Sequence, residues 1–340
     1  MNNGIKTEQT NNTDISPPKL TVIIPAYNAE STIARCINSI LAQTFKDIEI
    51  IIIDDASTDG TDRILELFSE RHKQIKVITI EHSGQGIARN EGLKAAQGEY
   101  IGFVDADDTI DKNMYSDMLK LITQHNADVV QCNIINVLGE GKYAPRLLNL
   151  NKVVRVKNKK NYFNTYLFGA KHSFECCNKV FNKAFLQNNN IWFKSNDIVF
   201  SEDLLFNLEV AAKLRIIVFT QQPYYFYFNS KKSHSKTNNI KKIKKLCVLF
   251  DCFYRQEREL KFECSKLAVL IIMINLSHLL AEPDNQKDVI KILRQSDIKK
   301  YLFLSFIKMI KIRHKILMLL LLCMPMRIKL LTIRLYYTKF

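Results

Sequence analysis

The chain has little of what punctuates, staples or anchors a protein. Seven prolines and ten glycines in 340 residues leave no room for long low-complexity linkers, and no segment repeats. The eight cysteines, at 36, 132, 176, 177, 247, 252, 264 and 323, include no CxxC pair and no Cys/His spacing suited to zinc. Most stand among apolar neighbours, which fits buried thiols in a reducing compartment and argues against disulfides and structural zinc. Long apolar runs are missing too. The longest without interruption in the tail, Ile316–Met324, has nine residues, too few to span a bilayer. The first twenty residues are polar and lack the apolar stretch of a signal peptide, so 1–17 is expected to be a disordered lead-in.

What is present is unevenly spread. The formal net charge is +15, yet residues 239–340 alone carry 21 Lys and Arg against 8 Asp and Glu. No acidic residue follows Asp297. The expected organisation is therefore a near-neutral globular unit over 18–235 and a helical, basic C-terminal region over 236–340. In the latter, apolar clusters alternate with Lys308, Lys311, Arg313, Lys315, Arg327, Lys329 and Arg334. That pattern suits the interface of an anionic membrane surface. It reads also as an ordinary helical subdomain with solvated lysines. Nucleic acid is a poorer partner, because no aromatic–basic interleaving or known module occurs.

The front alternates short apolar strands with amphipathic helices. Strands are expected at Leu20–Pro25, Ile48–Ile53, Lys76–Ile80, Tyr100–Val104 and Asp128–Cys132. Helices are expected over Glu30–Gln43, up to Arg71, over Gly86–Ala96 and over Asn113–Gln124. All-apolar strands with short helical crossovers imply an α/β fold with a mostly parallel sheet. The run Tyr100-Ile-Gly-Phe-Val-Asp-Ala-Asp-Asp108 ends one such strand in three carboxylates, Asp105, Asp107 and Asp108. Open α/β sheets bind ligands at this lip. Carboxylates that close repel one another, so a divalent cation among them makes physical sense, with water and phosphate completing its shell. Alone, the run reads equally as a polar turn before the next helix. Asp55–Glu66 has the outer frame of a calcium loop but places Asp62 where an apolar residue belongs and follows a strand, so it is rejected.

Five ordered motifs then carry a resemblance. They are Pro25-Ala-Tyr27-Asn28, Asp54-Asp55-x-Ser57-x-Asp59-Gly60-Thr61, Gly86-x-x-x-Arg89-Asn90-x-Gly92, Gly98-Glu99-Tyr100 and Asp105-x-Asp107-Asp108. Together they resemble family-2 inverting glycosyltransferases of the GT-A fold, of the bacterial surface-polysaccharide type, over roughly residues 18–232. The resemblance implies a UDP-sugar donor. Asp55 would accept the uracil N3–H, and Pro25 and Tyr27 would wall the base. Asp105 would face the ribose, with Ala106 beside it along the nucleotide sugar. Asp107 would hold Mn2+ or Mg2+ between the two phosphates. Arg89 would add charge near the nucleotide, the plainer reading being a surface salt bridge. Asp54 would orient its loop, and Asp59-Gly60 is turn chemistry.

Ser201-Glu202-Asp203 precedes a helical run and resembles the family's Glu-Asp pair. Asp203 would then be the general base for an acceptor hydroxyl, with Glu202 holding or tuning it. The same triplet reads as a helix start, Ser201 capping and the acids favouring the dipole. Two departures stand out: Cys177 replaces a usual Trp before Asn178-Lys179, and the arginine expected near Phe228–Ser230 is absent, leaving Lys231, Lys232 or His234 to substitute. The implied enzyme is cytoplasmic and peripheral on the inner face of the cell membrane. It would transfer one sugar to a glycan or lipid-linked acceptor. The competing classes are a nucleotidyltransferase, which should carry a Gly-rich basic loop after its first strand, and a non-catalytic sugar-nucleotide binder, which would be expected to lose Asp107 or Asp203.

Overall fold

The computed structural model describes residues 17–139, 142–146, 149–228 and 240–260, with 263, 268 and 271. The expected lead-in up to residue 16, His234 and the tail from 272 lie outside the described residues. The first three strands, β1 (Leu20–Ala26), β2 (Ile48–Asp54) and β3 (Ile75–Thr79), are joined by α1 (Ile33–Leu41) and α2 (Thr61–Arg71). After α3 (Gln85–Ala95) comes β4 (Tyr100–Phe103), which pairs parallel with the opposite side of β1. β2 also pairs parallel with β1 and with β3. Every expected strand and helix in this stretch is present to within a few residues.

Strand order therefore reverses between β1 and β4, the kind of switch point at which open α/β sheets bind ligands. Pro25 helps to open it. The last β1–β4 pair is Ile23↔Phe103, whereas β1 runs alongside β2 as far as Ala26↔Asp54. A proline, with no N–H to donate, is tolerated where one neighbour has already departed. The strands are apolar throughout because both faces are covered. Ile23, Ile51, Ile53, Ile101 and Phe103 enter one core, and Val22, Ile24, Ile50, Ile52 and Val104 the other.

Beyond β4 the sheet is mixed. The remaining strands and α-helices are β5 (Thr109–Ile110), α4 (Met114–His125), β6 (Val129–Gly139), β7 (Lys142–Arg146), β8 (Lys152–Arg155) and α5 (Lys159–Tyr162). They are followed by β9 (Lys179–Asn182), α6 (Lys183–Asn188), α7 (Glu202–Lys213), β10 (Ile216–Phe228) and α8 (Ile240–Gln256). The ten described strands run β3-β2-β1-β4-β9-β6-β10-β5, with β7 on β6 and β8 on β10. The expected fifth strand is β6, but it does not lie beside β4. The four-residue β9 is inserted antiparallel to both. Nothing in the apolar periodicity of so short a segment marks it as a central strand.

α7 is buried on almost all sides, with every residue from Leu204 to Ala212 enclosed, as a helix sandwiched between layers must be. One covering layer is α8, whose Leu246, Leu249, Phe250 and Phe253 enter the same core as Leu205 and Phe206. Lys213, at the end of α7, pairs with Glu257 at 2.5 Å. The start of the basic C-terminal region thus shares the core of the front unit. Among the described residues, no helix is long and apolar enough to cross a membrane.

Candidate active site

The carboxyl ends of β1, β2 and β4 deliver Tyr27, Asp55 and Asp105 to one lip of the sheet. Asp55 is buried, and its two oxygens accept the backbone N–H groups of Ser83 (2.7 Å) and Gly84 (2.9 Å). His82 Nδ1 lies 3.0 Å from Asp55 Oδ2, and its ring centroid is 4.4 Å from that of Tyr27. Tyr27 remains 46% exposed. The residues expected at the base therefore do gather, with Pro25 buried behind them in β1. His82 is an addition that no motif signalled.

Asp54 and Asp59 shape the turn between β2 and α2. Asp54 Oδ1 accepts from Ser57 N at 3.2 Å and from its hydroxyl at 2.5 Å. Asp59 accepts from Thr61 N (3.0 Å) and Glu30 N (3.2 Å).

The acids after β4 have separate surroundings. Asp108 is buried and accepts the Tyr225 hydroxyl (2.7 Å) and the Phe228 N–H (2.8 Å). Burial and the charges of Asp105 and Asp107 push its carboxyl up to about 8. Asp107 is pushed up to about 6, by burial first and by Asp105 second. Its backbone carbonyl accepts from Arg35 at 2.7 Å, and that guanidinium lies 3.7 Å from the centre of the Phe228 ring. Ala106, between the acids, packs partly buried against the core. Among the described residues, no cation pairs with the Asp107 carboxylate, and no three His, Cys, Asp or Glu side chains form a metal-binding group. The charge of Arg35 offsets only part of the push from burial and Asp105, and a carboxylate so placed fits Mg2+ or Mn2+, which draw most of their shell from phosphate and water.

Arg89 is neither on the surface nor free. It is 1% exposed and links three acids: Nη2 donates to Asp105 Oδ1 (2.8 Å), and Nη1 to Asp203 Oδ1 (2.7 Å) and Glu202 Oε1 (3.0 Å). Burial opposes its charge, but Asp203, Asp105 and Glu202 outweigh that and push its pKa up. The surface salt-bridge reading is thereby corrected. Gln85 also donates to Asp105 Oδ1, at 3.0 Å.

Glycine at 86 makes this hub possible. A Cβ there would lie 2.7 Å from the Lys194 carbonyl oxygen and 3.1 Å from Glu202 Cγ, so only glycine lets the first turn of α3 come so close to the segment before α7.

At the head of α7, Asp203 meets Arg89 and lies 3.5 Å from the Cys176 thiol. Burial pushes the Asp203 carboxyl up to about 7, with Arg89 acting against that and Glu202 and Asp105 adding to it. Asn196 donates to Glu202 Oε2 at 2.6 Å and accepts from Gly86 N at 3.2 Å. Lys245 of α8 in turn donates to the Asn196 carbonyl at 2.5 Å. Ser201 does not cap the helix. It sits at φ 66°, ψ 75° with no side-chain bond to the first turn. A non-glycine residue in that left-handed region is strained, and such strain clusters at functional sites. Cys176, Asn196 and Lys245 stand outside every recognisable motif, so their part was not legible in the sequence.

The chain has counterparts among known proteins. Residues 21–188 match the model of glycosyl transferase family 2. Residues 21–188 thus belong to glycosyl transferase family 2. The uncharacterized glycosyltransferase EpsJ of Bacillus subtilis is 31% identical over 211 residues, 62% of this chain and 61% of EpsJ. The chain thus spans about three fifths of that relative's length. Staphylococcus aureus TarS, a poly(ribitol-phosphate) beta-N-acetylglucosaminyltransferase, is 29% identical over 227 residues, 64% of this chain and 36% of TarS. A crystal structure of TarS residues 1–349 with UDP-GlcNAc superposes at a TM-score of 0.71 and 21% identity, covering 94% of this chain and 92% of that one. The mannosyltransferase PcManGT of Pyrobaculum calidifontis, solved with GDP-Man and Mn2+, matches at 0.54 and 17% identity, covering 96% and 90%. These superpositions establish the GT-A fold.

Proposed function

We propose that the protein is an inverting glycosyltransferase that moves one sugar from a UDP-sugar to a hydroxyl of a glycan or lipid-linked acceptor in surface-polysaccharide synthesis. The carrying observation is the Arg89 hub. It ties Asp105, at the donor lip, to Asp203, at the head of α7. A carboxylate so placed can act on the same anomeric carbon whose leaving group lies at the lip. The UDP complex of TarS supports the donor class.

In the reaction, the acceptor oxygen forms a bond to the anomeric carbon while the bond from that carbon to the diphosphate oxygen breaks. Asp203 takes the hydroxyl proton, and attack from the face opposite the nucleotide inverts the centre. Asp55, Tyr27 and Pro25 hold the base. Arg89 keeps Asp203 and Asp105 oriented, and Glu202 fixes the guanidinium from a third side. Asp107 would hold a divalent cation, which neutralises charge on the departing diphosphate.

The site of action is the inner membrane surface, reached through the basic tail. Ten Lys and Arg from Lys299 onward could each contribute about 1 kcal/mol near an anionic leaflet. Deleting 299–340 should release the protein from anionic vesicles in a flotation assay with UDP binding intact. A truncated protein that still floats removes the tail from this reading.

Calorimetry of UDP with Mn2+ tests the whole. Binding is expected, followed by UDP release from at least one member of a UDP-sugar panel. Absence of any UDP binding with metal present overturns the proposal.

A further inference from the structure

One strongly constrained group takes no part in the reaction as described. Lys179, the first residue of β9, is 0% exposed in the middle of the sheet. Its ammonium donates to the Ser173 carbonyl (2.9 Å), the Ser173 hydroxyl (2.8 Å), the Glu175 carbonyl and Asn178 Oδ1 (3.3 Å). A buried ammonium is costly unless paired. Here its partners are two backbone carbonyls and two neutral side-chain oxygens of one loop. That loop is held from two further sides. Gln131 of β6 accepts from Ser173 N (3.0 Å) and donates to the Lys171 carbonyl (2.9 Å). Asn207, one turn beyond Asp203 on α7, donates both to the Phe174 carbonyl (2.7 Å) and to the Asp203 carbonyl (2.9 Å). Two residues beyond Phe174 in the loop is Cys176, whose thiol reaches Asp203 Oδ1 at 3.5 Å.

We infer that Lys179 is a positioning residue for the base. By gathering the Ser173 and Glu175 carbonyls it holds the Cys176 thiol against Asp203 Oδ1, the oxygen that Arg89 also binds, so that the carboxylate keeps one orientation toward the acceptor. The inference rests on Asp203 being the base. The groups facing Asp203 are Arg89 from α3, Asp105 after β4, Cys176 and the more distant Lys179 from the β9 side, and Glu202 on its own helix. The Cys176 hydrogen bond and the Arg89 charge stabilise the ionised carboxylate, while Asp105 and Glu202 oppose it.

The test is the acidic limb of the kcat/KM–pH profile, measured on the full chain with the UDP-sugar accepted in the panel above. Cys176→Ala is a small change in a buried site and removes the thiol donor. It should move the limb to higher pH with UDP affinity unchanged. Lys179→Met should move it the same way and lower kcat on the order of 10- to 100-fold. The double variant should show no further shift beyond the larger single one, because both substitutions break one chain of contacts. Fully additive shifts, or a limb unmoved in Cys176→Ala, overturn the inference even if Lys179→Met fails to fold. Asp203→Asn separates the two layers: full activity there removes the base itself, whereas lost activity with an unmoved Cys176→Ala limb removes only the positioning role.

Discussion

The two sides of the site are assembled in different ways. The proposed donor side is local: β1, β2 and β4 each end in a short motif, and strand–helix alternation brings those motifs to one lip. The proposed acceptor side is assembled from far apart in the chain. Around Asp203 stand Arg89, Asp105 and Cys176, with Asn196 holding Glu202 and Asn207 holding the loop before β9. The contrast suggests that donor recognition depends on single loops, while the base depends on how two halves of the sheet meet. Arg89 is where they meet.

The largest expected effects would break this division. Asp203→Asn keeps shape but cannot take a proton, so transfer should fall roughly 10²–10⁴-fold, with UDP affinity unchanged by calorimetry. Asp107→Asn should instead weaken Mn2+-dependent UDP binding together with turnover. Equal loss of UDP binding in both variants would mean that the two sides are one unit.

Arg89→Met should act on stability as well. It leaves three partly buried carboxylates facing one another, and removing one partner of a buried ion pair costs about 3–5 kcal/mol. Denaturant midpoints would show it. Arg89→Lys should recover little, since one ammonium nitrogen would have to replace two guanidinium nitrogens that reach Asp105 on one side and Asp203 and Glu202 on the other. A midpoint unchanged in Arg89→Met would show that the hub orients the acids without holding the fold.

The division also explains what was legible. Strands β1 to β4 and the crossovers between them follow from apolar runs that end in turn residues, so periodicity and spacing sufficed, whereas the donor motifs were legible only through their resemblance to a family. Asp54 as a loop anchor and Asp59 as a turn residue followed from the same local chemistry. β9 did not, because its four residues are central only through partners far along the chain. The partners of Arg89 escaped for a related reason. Its motif showed that it belonged to the site, but its three acids are 16, 113 and 114 positions away. Ser201 was read as a cap from its residue type, whereas its backbone is bent out of the capping conformation.

Packing of the donor side on its own helix gives a smaller effect. A Cβ on Gly92 of α3 would lie 2.4 Å from Ile23 Cγ2 in β1. Gly92→Ala should cost about 1–3 kcal/mol by overpacking, visible as a lower denaturant midpoint with kcat retained. A large fall in kcat at unchanged stability would mean that the seating of α3 also sets Arg89, and the two sides would then be less separate than drawn.

The smallest effect tests the acceptor side electrostatically. Asp203 must be ionised to accept a proton, and its surroundings push its carboxyl up to about 7. Activity should therefore rise with pH through that region and then level off. Glu202 contributes to the upward push through its like charge, so Glu202→Gln should move the acidic limb to lower pH by less than about one unit, each unit corresponding to 1.36 kcal/mol. The neutral amide can still offer one oxygen to Arg89, so the direction of the shift isolates charge from geometry. An upward shift would mean that Glu202 matters chiefly by holding Arg89 in place, because a displaced guanidinium stabilises the ionised base less.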